Sequence, residues 1–169
     1  MSKSTKKELL TYLTIIVLIV IIRTFFVTPV RVNGSSMYPT LKNGEIMILN
    51  KIHYKFHDIK RSDIVVVKIP DDKIIKRVIG LPGDKIKVKD GVLYVNNKLV
   101  KEDYIKELTE DFDLNDLGYK KVPKNMYFVM GDNRNNSADS RIIGCVKKKQ
   151  IMGKTKLVIF PFTKVGNRD

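Results

Sequence analysis

The sequence predicts a mainly β domain that follows a single N-terminal transmembrane helix. An apolar stretch near the start is long enough to cross a bilayer, and short β-branched runs separated by turn residues fill the rest. The sequence contains no repeat and no heptad pattern. Its 169 residues and 43% hydrophobic content suit one domain of ordinary size plus an anchor.

The apolar stretch, residues 9–27, reaches the ~20 residues that a membrane-spanning helix needs. Arg23 lies near its far end, where a long side chain can extend to the interface. A cleavable secretory signal begins in the same way, but residues 24–29 are too bulky for its cleavage pattern, so a permanent anchor is favoured. Because lysines precede the anchor, residues 1–8 are predicted to be cytoplasmic and residues 28–169 extracytoplasmic.

Alternating apolar and polar residues, broken by turn residues, predict consecutive β-strands after the anchor. The predicted strands are 45–50, 63–70, 74–79, 85–89, 92–95, 98–100, 126–130 and 156–160. The pairs Asp90-Gly91 and Asn96-Asn97 are typical hairpin turns. Residues from about 90 to 125 are therefore predicted to form a small accessory β excursion. Within it, the charged and weakly patterned residues 101–121 are expected at the surface.

The chain is strongly basic, with a formal net charge of +14. Such a charge is common in nucleic-acid-binding proteins, and it equally suits a protein that lies against anionic lipid or wall polymers. The lysines are spread along the chain and form no single basic arm, which favours a general surface property and no nucleic-acid partner. Cys145 is the only cysteine, so an intramolecular disulfide and a cysteine zinc cluster are both excluded.

The first stretch that could carry chemistry is a turn-forming run, residues 32–41, which closely follows the anchor. Gly34 permits a positive φ or a close approach of the backbone, and the loop could present the hydroxyl of Ser35 or Ser36. Serines in such runs are usually turn residues. Even a fully extended chain from the anchor spans at most about 30 Å to Ser36, so any reaction here takes place near the outer membrane surface.

A serine nucleophile needs a general base, and the chain offers two kinds. His53 and His57 lie four positions apart, but no glutamate or cysteine completes a metal site, and exposure to solvent is the favoured interpretation. A Ser-His-Asp triad is therefore poorly supported. Lys76 interrupts the apolar run 74–79, and burial there would lower the pKa of its amine. Alternatively, Lys76 and Arg77 are exposed charges on opposite faces of a strand, and the pattern does not separate these interpretations.

The third stretch is the polar run 131–141, which follows a predicted buried strand. It could be a surface loop and nothing more. It could also be a calcium loop, although Arg134 stands where a ligand is needed and no closing glutamate follows. Its many short hydrogen-bonding side chains, with Asp139 and Arg141 able to pair, favour a rigid scaffold for another group.

Four segments follow the anchor in a fixed order: residues 34–41, 61–66, 76–84 and 131–141. In this order the chain resembles bacterial type I signal peptidase in its short Gram-positive form, a membrane-anchored Ser/Lys endopeptidase. The similarity covers essentially the whole chain. The resemblance implies a small β-sheet catalytic domain with a partial barrel, and it implies neither a cofactor nor a metal.

The resemblance also implies a role for each matching residue. Ser36 is the expected nucleophile and Lys76 the expected general base. Ser137 is expected to orient the lysine amine by a hydrogen bond. Asp139 and Arg141 are expected to support the site through a salt bridge. The reaction would then be acyl transfer through a serine ester, with lysine moving the proton.

Substrate binding is likewise inferred from the resemblance. Met37 is expected beside the substrate pocket. Some relatives carry a hydroxyl residue two positions before the nucleophile as a second oxyanion donor, whereas Gly34 stands there in this chain. The implied function is removal of signal peptides from exported preproteins by a cut after small residues. The implied partners are preproteins and the lipid of the outer membrane face.

Three other functions fit parts of the sequence. A self-cleaving repressor of the related Ser/Lys fold needs an N-terminal DNA-binding domain, and a membrane segment stands there instead. A membrane-tethered module for anionic polymers suits the charge of +14, but it gives no reason for Lys76 in an apolar strand. A catalytically dead relative is disfavoured because Ser36 and Lys76 are both present.

Overall fold

The computed structural model of the protein describes residues 3–168. Its α-helices are α1 Lys3–Ile21, α2 His53–Phe56 and α3 Ser140–Ile143, with a π-helical segment at Ile22–Phe26 and 3₁₀ turns at Leu114–Leu117, Lys148–Gln150 and Phe162–Lys164. Its strands are β1 Val27–Arg31, β2 Ile46–Asn50, β3 Ile64–Lys68, β4 Lys73–Gly80, β5 Ile86–Lys89, β6 Val92–Val95, β7 Lys98–Leu99, β8 Phe112–Asp113, β9 Met126–Met130, β10 Val146–Lys147, β11 Ile151–Phe160 and β12 Gly166–Asn167. The protein is therefore mainly β behind one N-terminal helix, as predicted.

The N-terminal helix is long and apolar enough to cross a membrane. The candidate span is Ser4–Phe26, with a mean hydropathy of 2.4 in its apolar window and 0% of that window buried against the rest of the chain. α1 begins before the predicted residues 9–27 because the lysines that precede this stretch are good helix formers. The helical conformation stops before Val27, since Pro29 favours an extended backbone at the residue before it. The helix is compatible with a single-pass membrane anchor.

The larger sheet has 8 strands in the order β1-β2-β11-β3-β4-β9-β10, with β12 paired to β11, and it forms a half-barrel. All of its strand pairs are antiparallel. Successive side chains of β3 point to opposite faces, so Ile64 and Val66 pack in one apolar cluster while Val65 and Val67 pack in another. The continuous apolar run of β3 therefore reflects burial on both faces of the sheet.

The smaller sheet has 4 strands in the order β7-β6-β5-β8 and lies in the region predicted as an accessory excursion. Its first strand begins at Ile86, slightly before the predicted start near residue 90. The two sheets share an apolar cluster in which Ile86 and Leu93 pack with Ile79 and Phe128 of the larger sheet. The excursion is therefore packed against β4 and β9 of the larger sheet.

All eight predicted strands are present, some with shifted bounds, and two differences have clear causes. β6 and β9 have the predicted bounds, whereas β11 begins at Ile151, ahead of the predicted 156–160. Gly153 breaks the apolar pattern there, yet a Cβ at Gly153 would lie 2.2 Å from Asn50 O, so glycine allows β11 to approach β2. β1 is absent from the predicted strands because its apolar residues continue the pattern of the anchor.

Candidate active site

The turn that carries Ser36 is held by its own backbone and by two buried side chains. Tyr38 N donates to Ser35 O at 2.9 Å, and Leu41 N donates to Met37 O at 2.8 Å. Met37 and Leu41 are 1% and 0% exposed and pack in the core below the turn. Ser36, between these fixed points, remains partly exposed, which its expected role as the nucleophile requires.

Strand β4 places Lys76 directly beside Ser36. The amine and the hydroxyl are hydrogen bonded, with 2.7 Å between Lys76 Nζ and Ser36 Oγ. Lys76 is 3% exposed and Arg77 is 1% exposed, so the interpretation of the pair as exposed strand charges is wrong. Their side chains do point to opposite faces, as strand geometry requires, but both faces of β4 are covered.

The surroundings of Lys76 favour the neutral amine that a general base needs. Burial lowers the pKa of Lys76 below its usual value. The negative charges of Asp139 and Asp132 oppose this shift, and the positive charge of Arg141 adds to it. Because burial outweighs the carboxylates, a larger fraction of Lys76 is neutral at a given pH than of an exposed lysine.

Asp139 and Arg141 form the predicted ion pair, with 2.9 Å between Arg141 Nη2 and Asp139 Oδ2. Asp139 also accepts from Gly131 N at 3.0 Å, which fixes the loop next to β9. Burial alone would raise the pKa of Asp139, but the hydrogen bonds and charge of Arg141, with the Gly131 N–H, lower it below its usual value. Asp139 is therefore ionised across the neutral range.

Ser137 lies next to this ion pair, but its hydroxyl forms no hydrogen bond of normal geometry with the residues that the structure describes. Its Oγ is buried and has no partner among the residues that the structure describes, Lys76 included. It is close enough to help lower the pKa of Asp139. A Cβ at Gly131 would lie 2.3 Å from Ser137 Oγ and 2.4 Å from Ser36 O, so only glycine fits between the two loops. The expected contact of Ser137 with the lysine amine thus remains a prediction.

Gly34 has a conformational role in the structure. Its φ is +85°, in the left-handed region, while a Cβ at this position would meet nothing within 4 Å. Its N–H donates to Asn43 Oδ1 at 3.0 Å, so this amide is already engaged. Gly34 therefore supplies the backbone bend before Ser36.

Replacing Gly34 with alanine tests that role. We expect Gly34→Ala to cost about 1–2 kcal/mol in unfolding free energy, because an L-residue is strained at positive φ. We also expect peptidase activity to fall about 10- to 100-fold, because the loop of Ser36 shifts. Gly83 is a matched control: its φ is +89° and it also has nothing within 4 Å of an added Cβ. Gly83→Ala should lose similar stability and keep full activity, and equal activity losses in both variants would contradict the assigned role.

Sequence reasoning missed a buried ion pair that ties the site together. Arg77 Nε and Nη2 donate to Asp132 Oδ1 and Oδ2 at 2.8 and 2.7 Å, and Thr40 Oγ1 donates to Asp132 Oδ2 at 2.5 Å. The pair joins three segments: β4, which carries Lys76; residues 32–41 around Ser36, here called the serine turn; and residues 131–141, here called the polar loop. The available signal was that Arg77, like Lys76, stands inside an apolar strand and that Asp132 directly follows another buried strand.

Two asparagines of the polar loop also hold the serine turn. Asn133 N donates to Ser36 O at 3.0 Å, and Asn133 Nδ2 donates to Ser35 O at 3.2 Å. Asn136 Nδ2 donates to Ser35 Oγ at 2.9 Å. Ser35 is therefore a structural hydroxyl, which leaves Ser36 as the serine that faces the lysine.

His53 begins the short helix α2 and His57 directly follows it, and their rings stack with centroids 4.6 Å apart. His57 is exposed and His53 is partly exposed, and neither forms a hydrogen bond with Ser36 in the part of the chain that the structure describes. Burial and the nearby Lys154 lower the pKa of His53. Residues 3–168 contain no group of three histidine, cysteine, aspartate or glutamate side chains placed to hold a metal.

Comparison with known proteins identifies the family of the chain. The family model described as signal peptidase, peptidase S26, matches residues 5–160. Signal peptidase I P of Bacillus subtilis subsp. natto is 46% identical and covers 89% of this chain and 86% of its own length. Signal peptidase I S of Bacillus subtilis strain 168 is 44% identical, and the match covers 96% of this chain and 95% of the length of that protein.

A solved structure supports the same assignment. The crystal structure of a signal peptidase I from Enterococcus faecalis V583 matches with a TM-score of 0.54 and 36% identity. The match covers 58% of this chain and 97% of that one. The chain therefore belongs to the signal peptidase family, peptidase S26, as a hydrolase of the Gram-positive type I group.

Proposed function

We propose that this protein removes signal peptides from exported preproteins by a Ser/Lys acyl-enzyme mechanism and cuts after small residues. The observation that carries the proposal is the 2.7 Å contact between Ser36 Oγ and the amine of Lys76, which is buried. A buried amine with a lowered pKa can accept the serine proton, which an exposed lysine at neutral pH cannot.

The reaction follows from the positions of these groups. Neutral Lys76 takes the proton of Ser36, and Ser36 Oγ attacks the carbonyl carbon before the scissile bond. The backbone N–H of Ser36 is the first donor to the oxyanion that forms. Lys76 then gives its proton to the leaving amine, and the acyl-enzyme carries the signal peptide until water attacks it. Asp139 stays ionised throughout and holds Arg141 next to the site.

A substrate strand has room beside β4. β4 pairs with β3 from Lys73 to Arg77, whereas β9 pairs with β4 only between Arg77 and Gly80. Among the residues that the structure describes, no strand therefore pairs with the first half of β4 on the side away from β3, next to Lys76. An extended peptide that adds to this edge would present its carbonyl near Ser36. Alternate side chains of the peptide before the cut would then face the protein, and their fit would determine the specificity.

The anchor brings this site to the membrane. Lysines in the first turns of α1 favour a cytoplasmic N-terminus and an extracytoplasmic catalytic domain. Lys51 Nζ donates to the carbonyl oxygens of Arg23 and Thr24 at 3.4 and 3.0 Å, which joins the domain to the end of the anchor. The site then faces the outer lipid surface, where exported preproteins emerge and where nucleic acid is not a partner.

Cleavage of a purified preprotein in detergent micelles tests the function, with the mass of the released mature fragment as the readout. We expect one cut after a small residue, and replacing that residue in the substrate by leucine should abolish the cut. A matched preprotein with leucine placed five positions further downstream should be cut normally. If no preprotein or signal-peptide substrate is cut, the alternative of a tethered binding module is favoured.

The pH dependence of cleavage tests the lysine base. Activity requires the neutral amine, so kcat/KM should rise with pH through the lowered pKa of Lys76 and level off above it. The midpoint should lie below about 10.4, the pKa of an exposed lysine. Below the midpoint the rate should fall about tenfold for each unit of pH. A profile that first rises near the exposed-lysine value would contradict the burial argument.

A further inference from the structure

Residues 102–109 of the accessory excursion, here called the strap, lie across all three catalytic segments. The sequence predicted a surface segment here, but Thr109 is 3% exposed and Glu102 and Tyr104 are partly buried. Strap residues contact the serine turn, strand β4 and the polar loop. The strap belongs to the loop that connects β7 to β8, and it is the part of that loop that reaches the site.

The innermost contact of the strap is an ion pair with the polar loop. Arg134 donates to both carboxylate oxygens of Glu102, at 2.9 and 2.5 Å, and to Thr109 Oγ1 at 2.8 Å. The two charged side chains are 0% and 5% exposed. Arg134 Nε also donates to Gly131 O at 3.0 Å, and Arg134 O accepts from Arg141 Nη2 at 2.6 Å. Glu102 therefore fixes an arginine that braces both ends of the polar loop.

The second contact reaches the strand of the base. The ring of Tyr104 lies over the guanidinium of Arg77, with 3.9 Å from Cζ to the ring centroid. The Tyr104 hydroxyl donates to Glu102 Oε1 at 2.5 Å. Arg77 is thereby stacked against the ring while its nitrogens hold Asp132. A desolvated cation–π contact of this kind is favourable and restricts the position of the arginine.

The outer contacts of the strap are exposed. Lys106 Nζ lies 5.0 Å from the ring centroid of Tyr38, in the serine turn. Asn135 Nδ2 of the polar loop donates to Glu107 Oε2 at 2.7 Å. Exposed contacts contribute little to stability, so the buried pair of Glu102 and Tyr104 carries the coupling.

We propose that Glu102 and Tyr104 are positioning residues for the peptidase reaction, which hold Ser36 and Lys76 in register through Arg134 and Arg77. Lys76 and Arg77 are neighbours on β4, so a shift of Arg77 moves the amine of the base. Arg134 fixes the loop whose Asn133 holds the Ser36 carbonyl. The inference rests on the proposed Ser/Lys mechanism and deepens it, because it assigns a catalytic purpose to the excursion.

Steady-state kinetics of strap variants of the full chain in micelles test this proposal. Glu102→Gln removes the charge that fixes Arg134, and we expect kcat to fall about 100-fold while KM changes less than about threefold. Glu110→Gln is the matched control, since Glu110 is exposed and lies just outside the strap, and it should leave kcat unchanged. Circular dichroism at the assay temperature establishes that each variant is folded.

Tyr104 provides a second and milder pair of variants. Tyr104→Leu removes the ring over Arg77 and should lower kcat about 10- to 100-fold. Tyr104→Phe keeps the ring and should retain kcat within about threefold. If only the bulk of the side chain mattered, the phenylalanine and leucine variants would have the same kcat. The difference between these two variants is therefore a readout of position.

Two results would distinguish a failure of the positioning role of the strap from a failure of the Ser/Lys mechanism. If folded Glu102→Gln and Tyr104→Leu keep the kcat of the unmodified protein, the strap is only structural and the proposal is overturned. If the strap variants lose activity but Lys76→Met does not, the Ser/Lys mechanism is wrong while a positioning role remains. Loss in the strap variants together with loss in Lys76→Met supports both.

Discussion

Ser36→Ala and Lys76→Met are each expected to lower kcat/KM by at least about 10⁴-fold. In the proposed mechanism Ser36 forms the covalent bond and Lys76 is the base, and the Lys76 amine lies 2.7 Å from the Ser36 hydroxyl. Removing either member of a nucleophile–base pair leaves only the residual catalysis of the remaining site, so the two losses should be similar and not additive. Methionine fills the volume of the lysine stem without an amine. The measurement is cleavage of a preprotein in micelles.

The matched control is Lys89→Met, which removes an exposed lysine from β5 and should keep normal activity. The double variant of Ser36 and Lys76 should be no less active than either single variant. Near-normal cleavage by Lys76→Met would show that another group takes the serine proton. Near-normal cleavage by Ser36→Ala would exclude the serine ester.

Stability separates loss of chemistry from loss of fold in the same variants. The pKa of Lys76 is lower in the folded protein than in the unfolded chain, so folding releases a proton and stability rises with pH between these two values. Below that window the buried amine opposes folding. Lys76→Met removes this cost, and at neutral pH it should be more stable by about 1 kcal/mol. An inactive but more stable variant is the expected sign of a group kept for catalysis.

The sequence pattern marked the candidate site only where its chemistry is local. Ser36 lies in a short turn beside the anchor and Lys76 interrupts an apolar strand, but the pattern left open both the choice between Ser35 and Ser36 and the burial of Lys76, and their expected roles came from the family resemblance. Asp139 and Arg141 are two residues apart, and their pairing needs no knowledge of the fold. Such conflicts and short-range pairs are visible along the chain.

The two buried ion pairs and strand β1 could not be predicted, because they depend on contacts between distant segments. Glu102 and Arg134 are 32 positions apart, and Arg77 and Asp132 are 55 apart, so no local pattern joins them. The segment around Glu102 is charged and weakly patterned, which indicates a surface loop, and only its partner arginine shows that the charge is buried. β1 was missed for a related reason, because pairing with β2 and not its own sequence separates it from the anchor.

The buried pair of Arg77 and Asp132 should have the largest effect on stability. Both side chains are essentially inaccessible, at 1% and 0% exposure, so removing one leaves an uncompensated charge in the core. We expect Asp132→Ala and Arg77→Met each to cost about 3–5 kcal/mol of unfolding free energy. Urea unfolding of the full chain in micelles, followed by circular dichroism, measures this change.

The double variant Arg77→Met with Asp132→Leu distinguishes a pairing effect from lost packing. With both charges replaced by apolar groups, most of the stability should return, because a buried ion pair contributes little net stability over a hydrophobic replacement. Lys101→Ala, which breaks the exposed pair with Asp103, is the control and should change nothing measurable. Activity should not return in the double variant, because Asp132 then no longer holds Thr40 in the serine turn. If activity returns with stability, the pair serves the fold alone, and the serine turn does not depend on it.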